Sequence, residues 1–563
     1  MKRVGIAYYP LLYILALVCQ DLKSQDIPTV VKNEGIEVCT DRTLYVSGEK
    51  INFSLLLCHV EDKVNDQVSK IVYGELISPE GNRIAGGKYM VQSFNAEGCL
   101  TIPEEVISGI YYLKFYTRNM RNNPVVAYKF LMVKIINPLK TEVLRGIDAA
   151  DTTYNTFSGK QQATENQLLT IRSENEEFTP GQEVKLEIKA SPGISIPDRL
   201  CLSVIPESTS AEFVFPVRSK PNPAKPGIYM PETRGISLSG QVVGKESGKP
   251  VPEVVVNLSI IGDKDFLAVR SDTTGRFYFA LPEYSGNRDL FMCTGDLPGI
   301  STEILIDNDF CSRPVALPSP LFTLSGAEML AAYKLAVNSR ITSFFRQDKS
   351  VVDTVNDGNK IPFYGKPSEV LVVDKFIELP SLGEYFTELP GSVKIRKVQG
   401  KRQFRFYATA PEMSLFNPLM LVDWVAVDDI EKILAMSPTE IDRIELVDAP
   451  YMKGSVTYGG IISFVSKKNN FAGIDLPTSG TFVNYSFLEP CYSSMPQPPG
   501  KLNIPDSRNT IFWNPGLELS HEGLARVSFI APATPGKYTI WLQGMRNKGE
   551  RVSTRKTIVV TEK

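Results

Sequence analysis

Leu44 to Phe53 reads LYVSGEKINF, and Phe178 to Ile188 reads FTPGQEVKLEI. Aligned on Gly48 and Gly181, each stretch is a Ser-Gly or Pro-Gly turn feeding a strand of alternating apolar residues: Ile51, Phe53 and Leu55 in the first, Val184, Leu186 and Ile188 in the second. A turn followed by period-two burial marks the edge of a β-sandwich running into a core strand. A second phrase is shared by Ser108 to Phe115, SGIYYLKF, and Pro535 to Leu542, PGKYTIWL. Glycine supplies the turn there, and the aromatic and aliphatic alternation supplies the buried face.

Working outward, 563 residues exceed what one hydrophobic core supports and point to roughly three to five domains. The 40 Gly and 39 Pro favour many turns over long helices, so the expected fold class is mainly β. A net charge of −2 leaves no global field to attract nucleic acid or an anionic membrane surface. At the N-terminus, Lys2 and Arg3 precede an apolar run from Leu11 to Val18 and a polar stretch from Gln20, the pattern of a signal peptide over 1–25. The run is shorter than the roughly 20 residues a bilayer core needs. Cys19 ends it as a lipidation cysteine would, with Val18 where a lipobox prefers a small residue; the alternative is plain cleavage near Ser24 or Gln25. Membrane association is accordingly expected to be peripheral or through a lipid anchor at Cys19.

Asp41, Arg42, Tyr45, Gly48 and Glu49 spell a "DR-x-x-Y-x-x-G-E" phrase that resembles the opening of macroglobulin-type sandwich domains of the alpha-2-macroglobulin superfamily. The resemblance implies a first sandwich over 27–138 and a second over 139–233. Pro505 to Gly544, with Phe512-Trp513-Asn514-Pro515 and the Glu522-Gly523 turn, looks like a later domain of that superfamily and sets off 506–563 as a C-terminal β segment. No Cys-Gly-Glu-Gln thioester sequence occurs, so covalent protease trapping is not implied.

Between these, Gly240-Gln241-Val242-Val243, Gly248-Lys249-Pro250 and Asp272-Thr273-Thr274-Gly275-Arg276-Phe277 give strand, turn, strand, hairpin and strand. That order resembles a carboxypeptidase-regulatory-like sandwich, expected over 235–312. Met329, Leu330, Tyr333, Leu335, Ala336 and Val337 follow a helical period and predict a partly helical linker over 313–365. Pro418 to Val427, Ile441 to Val447 and Tyr458 to Val465 then form an α+β pattern resembling the plug of TonB-dependent outer-membrane transporters, over 366–472. Trp424 stands where that plug carries Gly. The residues after Lys468 are too few for the about 22 strands of a barrel that encloses a plug, and 473–505 reads as a Pro-rich linker. Ig-like or macroglobulin-like sandwiches plus one small α+β plug-like domain are thus the expected architecture.

No constellation marks a reaction. His59 and His521 are the only histidines, and neither lies in a nucleophile-elbow sequence, so neither a His-liganded metal centre nor a Ser-His-Asp triad is expected. Asp423, Asp428, Asp429 and Glu431 read as a strand end and helix start rather than a calcium loop, and Asp307-Asn308-Asp309 as a turn. Lys394, Arg396, Lys397, Lys401, Arg402 and Arg405 alternate with Val393, Ile395, Phe404 and Phe406 around Gly400, which predicts a hairpin with one wet face rather than a nucleic-acid surface. Beyond Cys19, seven cysteines carry no CxxC; Cys39 with Cys99, or Cys293 with Cys311, could bridge, against isolated buried thiols for most. The expectation is an exported, non-catalytic binding or scaffold protein, periplasmic or outer-membrane associated, with envelope proteins as partners, no nucleic acid, no cofactor and no metal. Two alternatives stand beside it: an accessory component of a TonB-dependent uptake system contacting an outer-membrane barrel protein, and a noncovalent macroglobulin-like protease binder.

Overall fold

In the first sandwich, the alternation read around Gly48 becomes two facing sheets. Gly35–Thr40, Lys50–Cys58 and Asn95–Thr101 form an antiparallel sheet. It covers a five-stranded sheet ordered Leu44–Val46, Lys129–Ile136, Gly109–Thr117, Ile71–Ile77, Arg83–Met90. Gly48 adopts φ 83, the left-handed conformation the turn demands. Phe53 then enters the core, its ring centroid 4.7 Å from Tyr89 and 4.9 Å from Phe115. Gly98 is required by that packing, because a Cβ there would sit 2.5 Å from the Tyr89 ring. The computed structural model describes residues 34–562 apart from 59–67, 147–154, 158–168, 192–195, 220–228, 346–360, 408–412, 477–479, 491–504 and the single positions 216, 296, 298, 390, 399, 414, 547, 548 and 550. The signal-peptide and Cys19 expectations lie outside the described residues.

The second sandwich is assembled from two distant parts of the chain. One sheet is Leu169–Ser173, Glu183–Ala190 and Leu524–Ile530; the other runs Glu177–Phe178, Arg551–Val560, Gly536–Met545, Arg199–Pro206, Phe512–Asn514. Arg199–Pro206 pairs antiparallel with Gly536–Met545 from Arg199↔Met545 to Pro206↔Tyr538. The sequence division into a second sandwich at 139–233 and a separate segment at 506–563 is therefore corrected: both contribute strands to one pair of sheets. Turn chemistry reveals where a strand begins, whereas its partner three hundred residues away leaves no local trace.

The third sandwich, expected at 235–312, pairs Arg276–Ala280, Ser237–Gly244 and Thr302–Ile306 against Phe266–Arg270, Val255–Ile260, Asn287–Thr294 and Thr481–Ser486. The Asp272 turn forms, with Asp272 accepting from the N–H groups of Thr274 and Arg276 at 2.8 and 2.9 Å and with Phe277 and Phe279 buried while Tyr278 is exposed. The expected hairpin is corrected, because Phe266–Arg270 and Arg276–Ala280 on its two sides pair in opposite sheets and the turn carries the chain from one sheet to the other. Thr481–Ser486 lies within the expected linker 473–505, which is thus part strand: Val483 and Tyr485 turn inward while Phe482 and Asn484 stay exposed, and the strand completes a sheet edge. Between the third sandwich and that strand sits the α+β unit, whose sheet runs Glu369–Val372, Ile441–Val447, Ile461–Ser466, Leu419–Val422, Val425–Ala426, flanked by the helices Leu382–Glu388 and Ile430–Leu434. The α+β unit is thus inserted in the third sandwich, and the third sandwich in the second.

The long helix Gly326–Phe345 follows the period read from sequence. A capping box starts it: Glu328 N–H donates to Ser325 Oγ at 3.2 Å, and Ser325 N–H to Glu328 Oε2 at 2.8 Å. It is more than a linker. Ala331, Ala332 and Leu335 pack on Leu44 and Val46 of the first sandwich, and Lys134 pairs with Glu328 at 2.7 Å.

Candidate functional site

The residues singled out for chemistry are structural. Asp423 is buried and accepts from Ser466 N–H, Ser466 Oγ and Phe471 N–H at 2.7, 2.6 and 2.8 Å. Asp423 and Trp424, at φ 47 and 64, form the two-residue turn joining Leu419–Val422 to Val425–Ala426, so Trp424 adopts the backbone conformation usually left to Gly. Asp429 caps the helix Ile430–Leu434 through the N–H groups of Glu431 and Lys432, as a helix start requires, and Glu431 pairs with Arg402. The basic segment is a hairpin, Val393–Val398 with Lys401–Phe406, that buries Val393, Phe404 and Phe406. Among the described residues no cluster of three or more His, Cys, Asp or Glu could hold a metal ion. His521 stands in an exposed turn, and His59 lies outside the described residues. Cys39, Cys58, Cys201, Cys293 and Cys311 are free and buried, which corrects the two suggested bridges; Cys99 is disulfide-bonded.

The macroglobulin-like phrase itself turns out to be a joint. Asp41 accepts from Tyr45 Oη at 2.8 Å and from Thr510 Oγ1 at 2.6 Å, and Arg42 Nε donates to Thr510 Oγ1 at 2.9 Å. Glu49 holds Arg42 at 3.3 Å and accepts from Val46 N–H at 2.7 Å and from Asn509. One phrase thus fixes its own turn and clamps the first sandwich to the C-terminal part of the second. Burial, then the Asp41 charge, pushes the Tyr45 phenol well above its ordinary value; burial opposes the charge on Arg42, and Glu49 and Asp41 overcome it.

A second joint ties the first sandwich to the third. Lys88 is buried against Asp309 at 2.5 Å with its ammonium 3.9 Å from the Tyr485 ring centroid, and Lys114 Nζ donates to the Cys311 carbonyl at 2.9 Å. The turn Asp307-Asn308-Asp309 is therefore also an anchor, a role its sequence does not signal. At the third joint, Tyr458 Oη donates to Asn257 at 2.5 Å and Ala426 N–H to Ser259 Oγ at 2.9 Å, beside a cleft of about 270 Å³ between the third sandwich and the α+β unit.

Against these sealed joints, one surface is open and apolar. On the helix Gly326–Phe345, Leu330, Tyr333, Val337, Ile341 and Phe344 recur at steps of 3, 4, 4 and 3. At about 100° per residue they fall within about 80° of arc, roughly opposite Ala331, Ala332 and Leu335. Leu330 is 60 % exposed, Tyr333 70 % and Phe344 84 %, with Met329 beside them. The sequence period locates this helix correctly and cannot say which of its two apolar sides is covered.

No family model matches this chain, including over the segments that resemble the carboxypeptidase-regulatory and plug domains, and no curated protein matches it. Among solved structures it is similar to Salmonella alpha-2-macroglobulin reacted with methylamine (8 % identity, TM-score 0.23, covering 94 % of this chain and 39 % of that one). It is also similar to Escherichia coli alpha-2-macroglobulin activated by porcine elastase (9 % identity, TM-score 0.22, covering 94 % and 44 %). The chain thus spans less than half the length of either structure. What the strands establish directly is a mainly β protein of several sandwiches with one α+β unit. Among the described residues no helix is long and apolar enough to cross a membrane.

Proposed function

We propose that this chain is a non-catalytic binding or scaffold protein of a cell envelope, whose sandwiches are held rigidly together so that the helix Gly326–Phe345 can dock a helix of a partner protein. The observation that carries this reading is the outward stripe Leu330, Tyr333, Val337, Ile341 and Phe344. Steps of three and four residues are those of a helix–helix seam, and contiguous exposed apolar surface of this kind marks an interaction site. The polar joints support the scaffold half, because buried, hydrogen-bonded networks specify one arrangement of neighbouring modules.

A photo-crosslinking residue at Tyr333 or Phe344 of the full chain, activated in fractionated envelopes, tests it. The expected result is one protein adduct at both positions and none at Tyr278, an exposed residue of the third sandwich. Equal labelling at all three positions overturns the docking assignment. A barrel protein as the adduct makes the chain an uptake accessory, and a protease makes it a noncovalent inhibitor.

A further inference from the structure

The joint between the first and second sandwiches is a meeting of two outward faces. In Gly35–Thr40, Ile36 and Val38 enter the core of the first sandwich, so Cys39 points away from it; Leu56 does the same from Lys50–Cys58. In Arg199–Pro206, Leu200, Leu202 and Val204 fill the core of the second sandwich, which turns Cys201 outward beside Trp513 and Met545. Cys39, Leu56, Cys201, Trp513 and Met545 form one sealed cluster, in which the Cys201 thiol donates to the Pro515 carbonyl at 3.3 Å. Flanking bonds fix this register from both sides. Arg199 Nε donates to Ser54 Oγ at 3.1 Å, Ser54 being the cross-strand partner of Cys39. Gln543 Nε2 donates to the Thr40 carbonyl at 2.9 Å, Gln543 being the cross-strand partner of Cys201.

We propose that Cys39 and Cys201 are a reversible interdomain disulfide pair that joins the first and second sandwiches covalently when the chain meets an oxidant of the disulfide class. Both thiols are covered in the closed structure, so the oxidant reaches one of them while the joint is apart. The thiolate attacks the oxidant's disulfide, forming a mixed disulfide and releasing one thiol. Closing the joint brings the second cysteine onto that sulfur; its attack forms the S–S bond and releases the oxidant's other half as a thiol. Two protons and two electrons leave the pair, and the oxidant's disulfide takes them up. Burial pushes the Cys39 thiol up, but Cys201 and the Arg551 guanidinium outweigh burial and leave it below its ordinary value, while burial pushes Cys201 well up.

The test is non-reducing peptide mapping of the full chain after oxidised glutathione, applied to the folded protein and during refolding, with acid quench and alkylation under denaturant. The expected result is a linked peptide containing Cys39 and Cys201 in most of the refolded chains, erased by dithiothreitol, while Cys293 and Cys311 stay alkylated. In Cys201→Ser the linked peptide vanishes and Cys39 carries glutathione, which separates a specific pair from a generally reactive thiol. Full alkylation of Cys39 and Cys201 under both regimes, or linkage of Cys39 to a different cysteine, overturns the proposal.

Discussion

The first and second sandwiches open with the same kind of turn and differ in where their strands come from. Every strand of the first lies between Gly35 and Ile136, whereas the second draws Leu169–Ser173, Glu183–Ala190 and Arg199–Pro206 from one region and Phe512–Asn514, Leu524–Ile530, Gly536–Met545 and Arg551–Val560 from another. The difference teaches that a turn with period-two burial specifies a core face and leaves the partner unspecified. Partner choice comes from the outer faces as well: Cys39 and Leu56 on one side, Cys201 and Trp513 on the other, are apolar because the two sandwiches bury them against each other.

The largest effect that tests this comparison is core truncation. Phe53→Ala in the first sandwich is expected to cost about 3–5 kcal/mol, and Ile540→Ala in the second about 2–5 kcal/mol, by denaturant titration. Hydrogen exchange should then separate them: Ile540→Ala deprotects 199–206 and 536–545 together, and deprotection of 536–545 alone would break the shared sheet. Next, Arg42→Ala leaves the buried Asp41 and the partly buried Glu49 carboxylates without their cation, at about 3 kcal/mol. It should speed limited proteolysis between the first and second sandwiches while leaving the third sandwich protected.

Acid gives a smaller effect of opposite sign in two places. Glu232, where the first and third sandwiches meet, is pushed up by burial that Arg118, Ser237 and Tyr73 offset only in part. Its folded pKa lies above its ordinary 4.5, so its contribution is full below that pH and is lost as pH rises through the folded value. Burial also pushes Asp506 of the second sandwich up, but Arg508 and the Ala533 N–H hold it below 3.8, so its contribution is present above that pH and lost as pH falls through the lowered value. Glu232→Gln should abolish the first pH response in exchange measurements and spare the second. Smallest in stability is Tyr333→Ser on the exposed helix face, expected to stay within about 0.5 kcal/mol while removing the partner crosslink.

Much of this was legible in the sequence, for physical reasons. The Gly48 and Gly181 turns, the Asp272 to Gly275 turn and the basic hairpin around Gly400 all form, because each is decided within a few residues. What was not legible depends on contacts across the chain. RLCLSVIP at 199–206 reads as one apolar run, and only the packed structure says that Leu202 faces inward and Cys201 a neighbouring sandwich. Likewise Leu335 and Tyr333 both fit the helical period, and one is covered while the other is bare.

The insertion of one module inside another also sets a timetable. On a ribosome adding about 5–20 residues per second, Arg199–Pro206 emerges some tens of seconds before Gly536–Met545 exists to pair with it. For that interval Leu202 and Val204 have no sheet to enter, and the strand's unmet N–H and C=O groups invite any other chain nearby. The inserted third sandwich and α+β unit fold meanwhile, shortening the gap the last strands must close. Gly536–Met545 and Arg551–Val560 are thus the strands the second sandwich waits for, so a ribosome that stops before them leaves an adhesive intermediate.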